Sequence, residues 1–447
     1  MDTKTVQDMY RRIWIITGLL LSAVAAKAQV AFSSVEDVWR YADEHNISLR
    51  MAKYDARKAE LGRAQSYGAL LPQVSALGSY TDNLSLQTTL LPGEIIGGPK
   101  GTYFPVQFGQ QFIYTGSVAA QMDVLNLQSW FNVQTARINA EMSKDSLAYT
   151  KKNIYQQIAT QYYGVLLMSE AERLAQRSAV TADSVFQSVS NKYSTGTVNK
   201  ASVDVAQINK EKAEQTLITA RYQIRTAKNN LKILLDLSLN DSLVINDNLK
   251  PGMSADIAGA FTEDPAIKLA YNAMRVSMAQ YKAYNMLFVP TLSVAYNTAQ
   301  QLNQNKFEPL DHPNDQWFAA QYWSLKLSWN IFSGGSRYYQ SRRNKIGVEE
   351  RKLQYESAMN QSVINDENLR LNYQKSAALL EKARNIMELS FDNYGHISNK
   401  YDEGLSSLDD RLYAFTDYIN YQNQYLNSLS DMLVQLYQVK LRQLDLR

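Results

Sequence analysis

The chain has 447 residues, a net charge of +3 and no cysteine. That excludes disulfides, a thiolate metal site and a cysteine-borne lipid anchor, and it gives no basis for nucleic-acid binding. Tyrosine is abundant at 29, whereas Gly (19) and Pro (9) are scarce, a balance suited to long regular elements.

The start reads as an export signal. Arg11 and Arg12 precede an apolar core from Ile13 to Ala26, and Ala26-Lys27-Ala28 fits a small-residue cleavage site. A membrane anchor is the other reading, but the run is short for one. Cleavage after Ala28 leaves Gln29 as the mature N-terminus. No later apolar run approaches the roughly 18 residues of a membrane helix, so a mature chain that enters a bilayer must do so with strands.

A helical pattern runs from about Ser34 to Leu70, with Val35, Val38, Ala42, Ile47, Met51, Tyr54 and Leu61 on its apolar stripe, and Pro72 stops it. A strand follows over 73–83, then a Gly/Pro-rich loop near 90–105. A second strand over 112–125 has Tyr114, Val118, Ala120, Met122 and Val124 on one face and Thr115, Ser117, Gln121 and Asp123 on the other. From about Ser129 to Tyr193 there is no Pro and one Gly, Gly164, which predicts a helix of roughly 95 Å. A hairpin at Gly196 leads into a helix over about 199–235.

The second half repeats the order: a helix over about 264–288, a strand over 291–297, a polar loop with Pro309 and Pro313, and an alternating strand over 323–331. On that strand Trp323, Leu325, Leu327, Trp329 and Ile331 share one face, and Ser324, Lys326, Ser328 and Asn330 the other. Another long helix over about 336–400, a hairpin and a last helix complete it. The last helix carries a seam in alternating steps of four and three: Leu408, Leu412, Phe415, Ile419, Gln422, Leu426, Leu429, Leu433, Leu436 and Lys440. A coiled coil and an ordinary helical bundle both fit it. The hairpins themselves repeat, Ser190-Asn-Lys-Tyr-Ser-Thr-Gly196 and Ser398-Asn-Lys-Tyr-Asp-Glu-Gly404. The chain therefore reads as one unit written twice, 29–250 and 251–447 after a signal peptide at 1–28.

The strands fit one face of a soluble sandwich or a lipid-facing sheet. Trp323 and Trp329 near the two ends of an apolar face favour lipid. Four strands cannot close a barrel, and free edges in a bilayer cost several kcal/mol per unpaired group. Other copies must then complete them: two give eight strands, three give twelve and a lumen.

At this point the sequence resembles the TolC-like outer-membrane efflux channels. The resemblance rests on GALLPQVSALGSYT (68–81), its echo FVPTLSVAYNT (288–298), WNIFSGG (329–335) and the two NKY…G hairpins. It implies an α+β membrane protein made mainly of long helices. Four strands per protomer would build a 12-stranded β-barrel in a homotrimer, continuous with a helical barrel in the periplasm of a Gram-negative bacterium. It further implies an adaptor protein and an inner-membrane pump as partners, outer-membrane lipid around the barrel, and no cofactor. In such channels a Tyr-x-x-Gly turn and a carboxylate six residues after the Gly line the periplasmic gate. The second hairpin matches with Tyr401, Gly404 and Asp410, beside Asp409. The first has Tyr193 and Gly196 but Ser202 in place of the carboxylate, with Asp204 nearest, and Ser406 stands where some members have Arg. Asp410 equally has capping-box spacing to Ser407. Gly196, Thr197, Gly404 and Leu405 would meet the adaptor. Met274 and Met278, at i and i+4, fit core packing; a soft-metal role is the weaker reading.

An enzyme finds no support, since nucleophile elbow, phosphate loop and His pair are all missing. The competing function is a secreted coiled-coil scaffold or adhesin stalk without channel activity.

Overall fold

A computed structural model describes residues 29–247, 257, 259–307 and 316–446. The signal-peptide reading, and Pro309 and Pro313, lie outside them. In chain order the elements are β1 (Gln29–Phe32), α1 (Val35–His45), α2 (Ile47–Gly68), β2 (Gln73–Asp82), β3 (Thr88–Pro92), β4 (Tyr103–Gln107), β5 (Phe112–Leu125), α3 (Leu127–Ser194), α4 (Lys200–Leu234), β6 (Ser242–Ile245), α5 (Pro265–Asn285), β7 (Thr291–Gln304), β8 (Trp317–Ser328), α6 (Ser336–Asp402) and α7 (Leu408–Gln443). Of the described residues, one compact unit takes those up to Ala56, Lys144–Leu269 and Glu356 onward; the other takes Arg57–Ser143 and Ala270–Tyr355.

The first predicted helix is two. Asn46 leaves helical geometry at ψ 123° and is 5% exposed. Its Oδ1 accepts from the Leu49 amide (2.9 Å), and its Nδ2 donates to the Leu234 carbonyl (2.7 Å). One side chain thus starts α2 and ties it to the end of α4. Val35, Val38 and Ala42 are buried, whereas Ile47, Met51, Tyr54 and Leu61 are exposed. The stripe therefore belongs to α1 alone. The remaining helices match their predicted spans closely. None of the described helices is long and apolar enough to cross a membrane.

The helical unit has two clusters. In one, β1, α1 and the middle of α3 pack with the end of α7 around Tyr162, Ile158 and Leu436. Trp39 stacks on Tyr155 at 5.1 Å and donates Nε1–H to its carbonyl. Arg442 makes a two-pronged pair with Asp366 (2.7 and 2.6 Å) and donates to the Thr262 carbonyl, so this buried guanidinium is well partnered. β1 pairs in parallel with β6, a contact between residues over 200 positions apart. The second cluster joins α3, α4, α6 and α7 toward the hairpins, around Val189, Ala206 and Tyr418. Every seam residue of α7 from Leu408 to Lys440 is at least half-buried. Arg411, Ala414, Tyr418, Met432 and Tyr437 are buried beside it. That wider face is a bundle's rather than a two-helix seam's.

The other unit holds an antiparallel sheet in the order β2-β5-β7-β8. β7 runs seven residues past its predicted end at Asn297. β8 is displaced from 323–331 to Trp317–Ser328. The pairing explains the shift. Thr291 pairs with Ser328, so Trp329 would face Pro290, which has no amide to donate. Trp329 instead gives its Nε1–H to the Phe288 carbonyl at 3.0 Å, and the chain turns through Gly334 and Gly335, both at positive φ. The predicted loop near 90–105 contains a second hairpin, β3 with β4.

Candidate functional site

Two features carry functional geometry, one in each unit. The first is the four-stranded sheet. Its register lines up Val74, Ala120, Tyr296 and Trp323 across all four strands, then Tyr80, Tyr114, Leu302 and Trp317 further along. Met122, Val294 and Leu325 follow on the same face, and Leu125, Leu292 and Leu327 after them. The opposite face aligns Gln73, Gln121, Ala295 and Ser324, then Ser75, Ala119, Asn297 and Tyr322. There Ser293 donates to Asp123 at 2.7 Å, and Lys326 lies in the same row. A bulge at Val124 takes that residue out of register and brings Leu125 onto the apolar face. The sheet is thus mostly apolar on one side, interrupted by Thr298, Gln300 and Gln321, and mostly polar on the other, interrupted by Leu77, Ile113, Phe318 and Tyr322.

The apolar side is uncovered: Trp323 is 73% exposed and Leu325 71%. Both outer strands are exposed along their whole length and each pairs on one side only. Trp323, expected near a strand end, lies in the middle of β8, while Trp329 lies just beyond it.

The second feature is the pair of hairpins. Both helices end in the same way. Gly196 (φ +76°) and Gly404 (φ +79°) are left-handed. The Gly196 amide donates to the Tyr193 carbonyl and the Thr197 amide to Lys192. The Gly404 amide donates to Tyr401 and the Leu405 amide to Lys400. This is the Schellman pattern twice over. Three residues after each Gly stands an N-cap. Asn199 accepts from the Ser202 amide, and Ser407 accepts from the Asp410 amide. Ser202 and Asp410 therefore occupy the same position of two superposable turns. Asp410 completes a capping box, with its Oδ2 accepting from the Ser407 amide (3.0 Å), the Ser407 hydroxyl (2.7 Å) and the Ser406 hydroxyl (3.1 Å). Those bonds hold its carboxyl below the usual Asp value. Asp409 is exposed in the same first turn, and Asp204 pairs with Lys200 at 2.9 Å.

The tyrosines differ. Tyr193 is 46% exposed and Tyr401 5%. Lys192 Nζ lies 3.6 Å from the centre of the Tyr401 ring and donates to the Tyr401 carbonyl. The Arg411 guanidinium lies 5.2 Å from the same ring, and Arg411 also reaches Asp402 at 3.5 Å. Two cations of one protomer thus hold the ring, joining the end of α3 to the second hairpin. The buried Tyr401 hydroxyl and Arg411 Nε have no partner. Burial raises the Tyr401 pKa, with Arg411 acting against it. Sequence reasoning missed Lys192 and Arg411. Lys192 was visible in the repeated Asn-Lys-Tyr, but its contact is with the other copy's tyrosine. The adaptor-contact candidates Gly196, Thr197, Gly404 and Leu405 are all exposed at the turns. Met278 is 40% exposed and Met274 half-buried, so the pair is not core. No cluster of three metal-binding His, Asp or Glu occurs among the described residues.

A mainly helical chain with a two-faced sheet and paired hairpins has the fold of outer-membrane channels. The chain superposes on VceC, an outer-membrane protein of Vibrio cholerae, with a TM-score of 0.75 at 17% identity, covering 91% of this chain and 95% of that one. The CmeC outer-membrane channel of Campylobacter jejuni gives 0.70 at 15% identity, covering 91% and 85%. The MtrE outer-membrane channel of Neisseria gonorrhoeae gives 0.68 at 16%, covering 91% and 88%. The family model described as outer membrane efflux protein matches residues 40–236. No curated protein sequence matches. Family match and shared fold together bear out the resemblance to the TolC-like outer-membrane efflux proteins.

Proposed function

We propose that the chain is one protomer of an outer-membrane efflux channel, a passive conduit that receives cargo from a periplasmic adaptor and an inner-membrane pump. The observation that carries this reading is the sheet. Its apolar face suits lipid and its polar face a water-filled lumen. From Trp317 to Trp329 is twelve residues, about 40 Å of strand, or about 28 Å of height at a 45° tilt, close to the ~25 Å band of outer-membrane barrels. On this reading Trp317 and Trp329 mark the two interfaces and Trp323 lies within the band. The strands alternate in direction from β2 to β8, so the open β8 of one copy can pair antiparallel with the open β2 of the next. Three copies would close twelve strands and pair every edge in the bilayer.

The hairpins would form the periplasmic tip. Asp410, with Asp409 beside it, would present a ring of carboxylates favouring cations at the mouth. Tyr401 would brace the gate from within the protomer, while Tyr193, Ser202 and Asp204 would form its less charged half. Gly196, Thr197, Gly404 and Leu405 would be the adaptor contact. The test is the mass of the mature protein extracted from the outer-membrane fraction. A trimer is expected. A monomer in the soluble periplasm would overturn the channel reading and leave a coiled-coil scaffold.

A further inference from the structure

The helix ends that adjoin the sheet carry no carboxylate. Over the eight residues nearest the sheet, α2 has Arg63, α5 has Lys282, and α6 has Arg337, Arg342 and Arg343, while α3 is uncharged. Neither Asp nor Glu occurs in these stretches, although acidic and basic residues nearly balance in the whole chain, at 43 and 46. The segment 329–335, which joins β8 to α6, is uncharged, and its Trp329, Ile331 and Phe332 are exposed. Trp329 follows Trp323, Leu325 and Leu327 in the alternation of the apolar face, so that face runs on toward the start of α6.

α6 is the helix placed to use this charge. Helical side chains lean toward the helix N-terminus. Those of α6, which starts at the sheet, therefore reach back toward the strands, whereas those of α2 and α5, which end there, lean away. Ser341 donates to Asn285 and Arg337 to the Leu287 carbonyl, both at 2.7 Å, which fixes one side of α6 to the end of α5. A second side, with Arg343, Asn344 and Gly347, borders a groove of about 530 Å³ whose lining is mainly polar and includes Gln128, Asn132 and Gln280. Tyr338, Arg342 and Lys345, at i, i+4 and i+7, form a third side, and all three are exposed. Arg342 donates through Nε and Nη2 to the Tyr338 hydroxyl at 3.2 and 3.1 Å. That bond turns the guanidinium toward the sheet and leaves three of its five N–H groups for a ligand. No carboxylate pairs with Arg342 or Lys345 among the described residues, and the first on this stripe, Glu349, lies a turn further from the sheet.

We propose that this stripe binds the phosphate of an anionic phospholipid in the periplasmic leaflet, with Arg342 and Lys345 as its cations and the acyl chains beside Ile331 and Phe332. The inference rests on the channel reading, which puts the start of α6 just below the bilayer and the polar groove on the lumen side, so that the stripe faces outward. Arg342 lies about 9 Å along the helix from Ser336, and the headgroup layer is about 5–7 Å thick; the backward lean of the side chain covers the difference. Arginine suits this ligand because its planar guanidinium meets two phosphate oxygens at once.

The test places the mature protein in phosphatidylcholine nanodiscs with a trace of phosphatidylglycerol that is photoreactive near its headgroup, and crosslinked peptides are mapped by mass spectrometry. Labelling within 329–345 is expected against the phosphatidylcholine background, and unlabelled phosphatidylglycerol should compete it away. Arg342→Gln and Lys345→Gln should each weaken labelling about fivefold, the worth of one cation at an anionic membrane surface. Both are exposed helix positions, so the variants fold. Lys400→Gln, at the other end of α6, should leave labelling unchanged. Labelling confined to the strands, no competition by phosphatidylglycerol, or indifference to both variants would overturn the proposal. The mass of the protein from the outer-membrane fraction separates the two ways of failing: a trimer that is not labelled at 329–345 overturns this proposal alone, whereas a soluble monomer overturns the channel reading with it.

Discussion

At the first hairpin the tyrosine three residues before the glycine stands 46% exposed; at the second, the matching tyrosine is 5% exposed. The backbones around them are the same, down to the two hydrogen bonds that close each turn. The difference comes from the residues C-terminal to each glycine and the groups packed against each ring. Seven residues after the glycine the first copy has Val203 and the second Arg411. Lys192, from the first copy, crosses to Tyr401, whereas its counterpart Lys400 is exposed. A repeated sequence has thus produced one turn that presents its aromatic ring and one that locks it. The same local sequence gives the same turn geometry, and the two hairpins differ through the contacts that distant residues make with them.

The largest expected break in this comparison is Tyr401→Ala. Removing a buried ring should destabilise the protein by about 3 kcal/mol, whereas Tyr193→Ala should cost less than about 1 kcal/mol; paired denaturant unfolding of the two variants measures the gap, and equal losses would refute the asymmetry. Gly196→Ala and Gly404→Ala should each cost about 1–2 kcal/mol through left-handed backbone strain alone, because a Cβ at either meets nothing within 4 Å. Their near equality sharpens the claim that the turns match in backbone. Ser407→Ala should cost about 1 kcal/mol by removing the N-cap and leave the first hairpin untouched, as amide exchange at both turns would report.

A smaller effect concerns pH. The Asp410 carboxyl has a lowered folded pKa. Its contribution is therefore present above the ordinary Asp value near 4 and lost as pH falls through the lowered one. Amide exchange at Ser407 should rise in that acid window, and no such step should appear at Asn199, which does not titrate. The smallest effect is Tyr401→Phe. It removes a buried hydroxyl with no partner and keeps the ring between the cations, so stability should change by less than about 1 kcal/mol, toward greater stability. A large loss would show that the hydroxyl bonds to something in the assembled protein.

Much of this was legible in the chain. Periodicity located the long helices, and Pro72, Pro290 and the two glycines located their ends, because helix length and termination depend on neighbours within a few residues. The role of Asp410 as a cap was legible for the same reason. The two-faced character of the sheet followed from alternation. The break at Asn46 was not, since it depends on a carbonyl 188 residues away. Nor was the end of β8, which Pro290 sets from the partner strand. Local sequence by itself determined where helices, turns and caps form and which strand faces are apolar. Only the tertiary structure decided the register of β7 with β8 and the burial of Tyr401 between Lys192 and Arg411. Each of these rests on groups brought together from distant parts of the chain, and no pattern within a helix or a strand encodes which distant side chain will arrive.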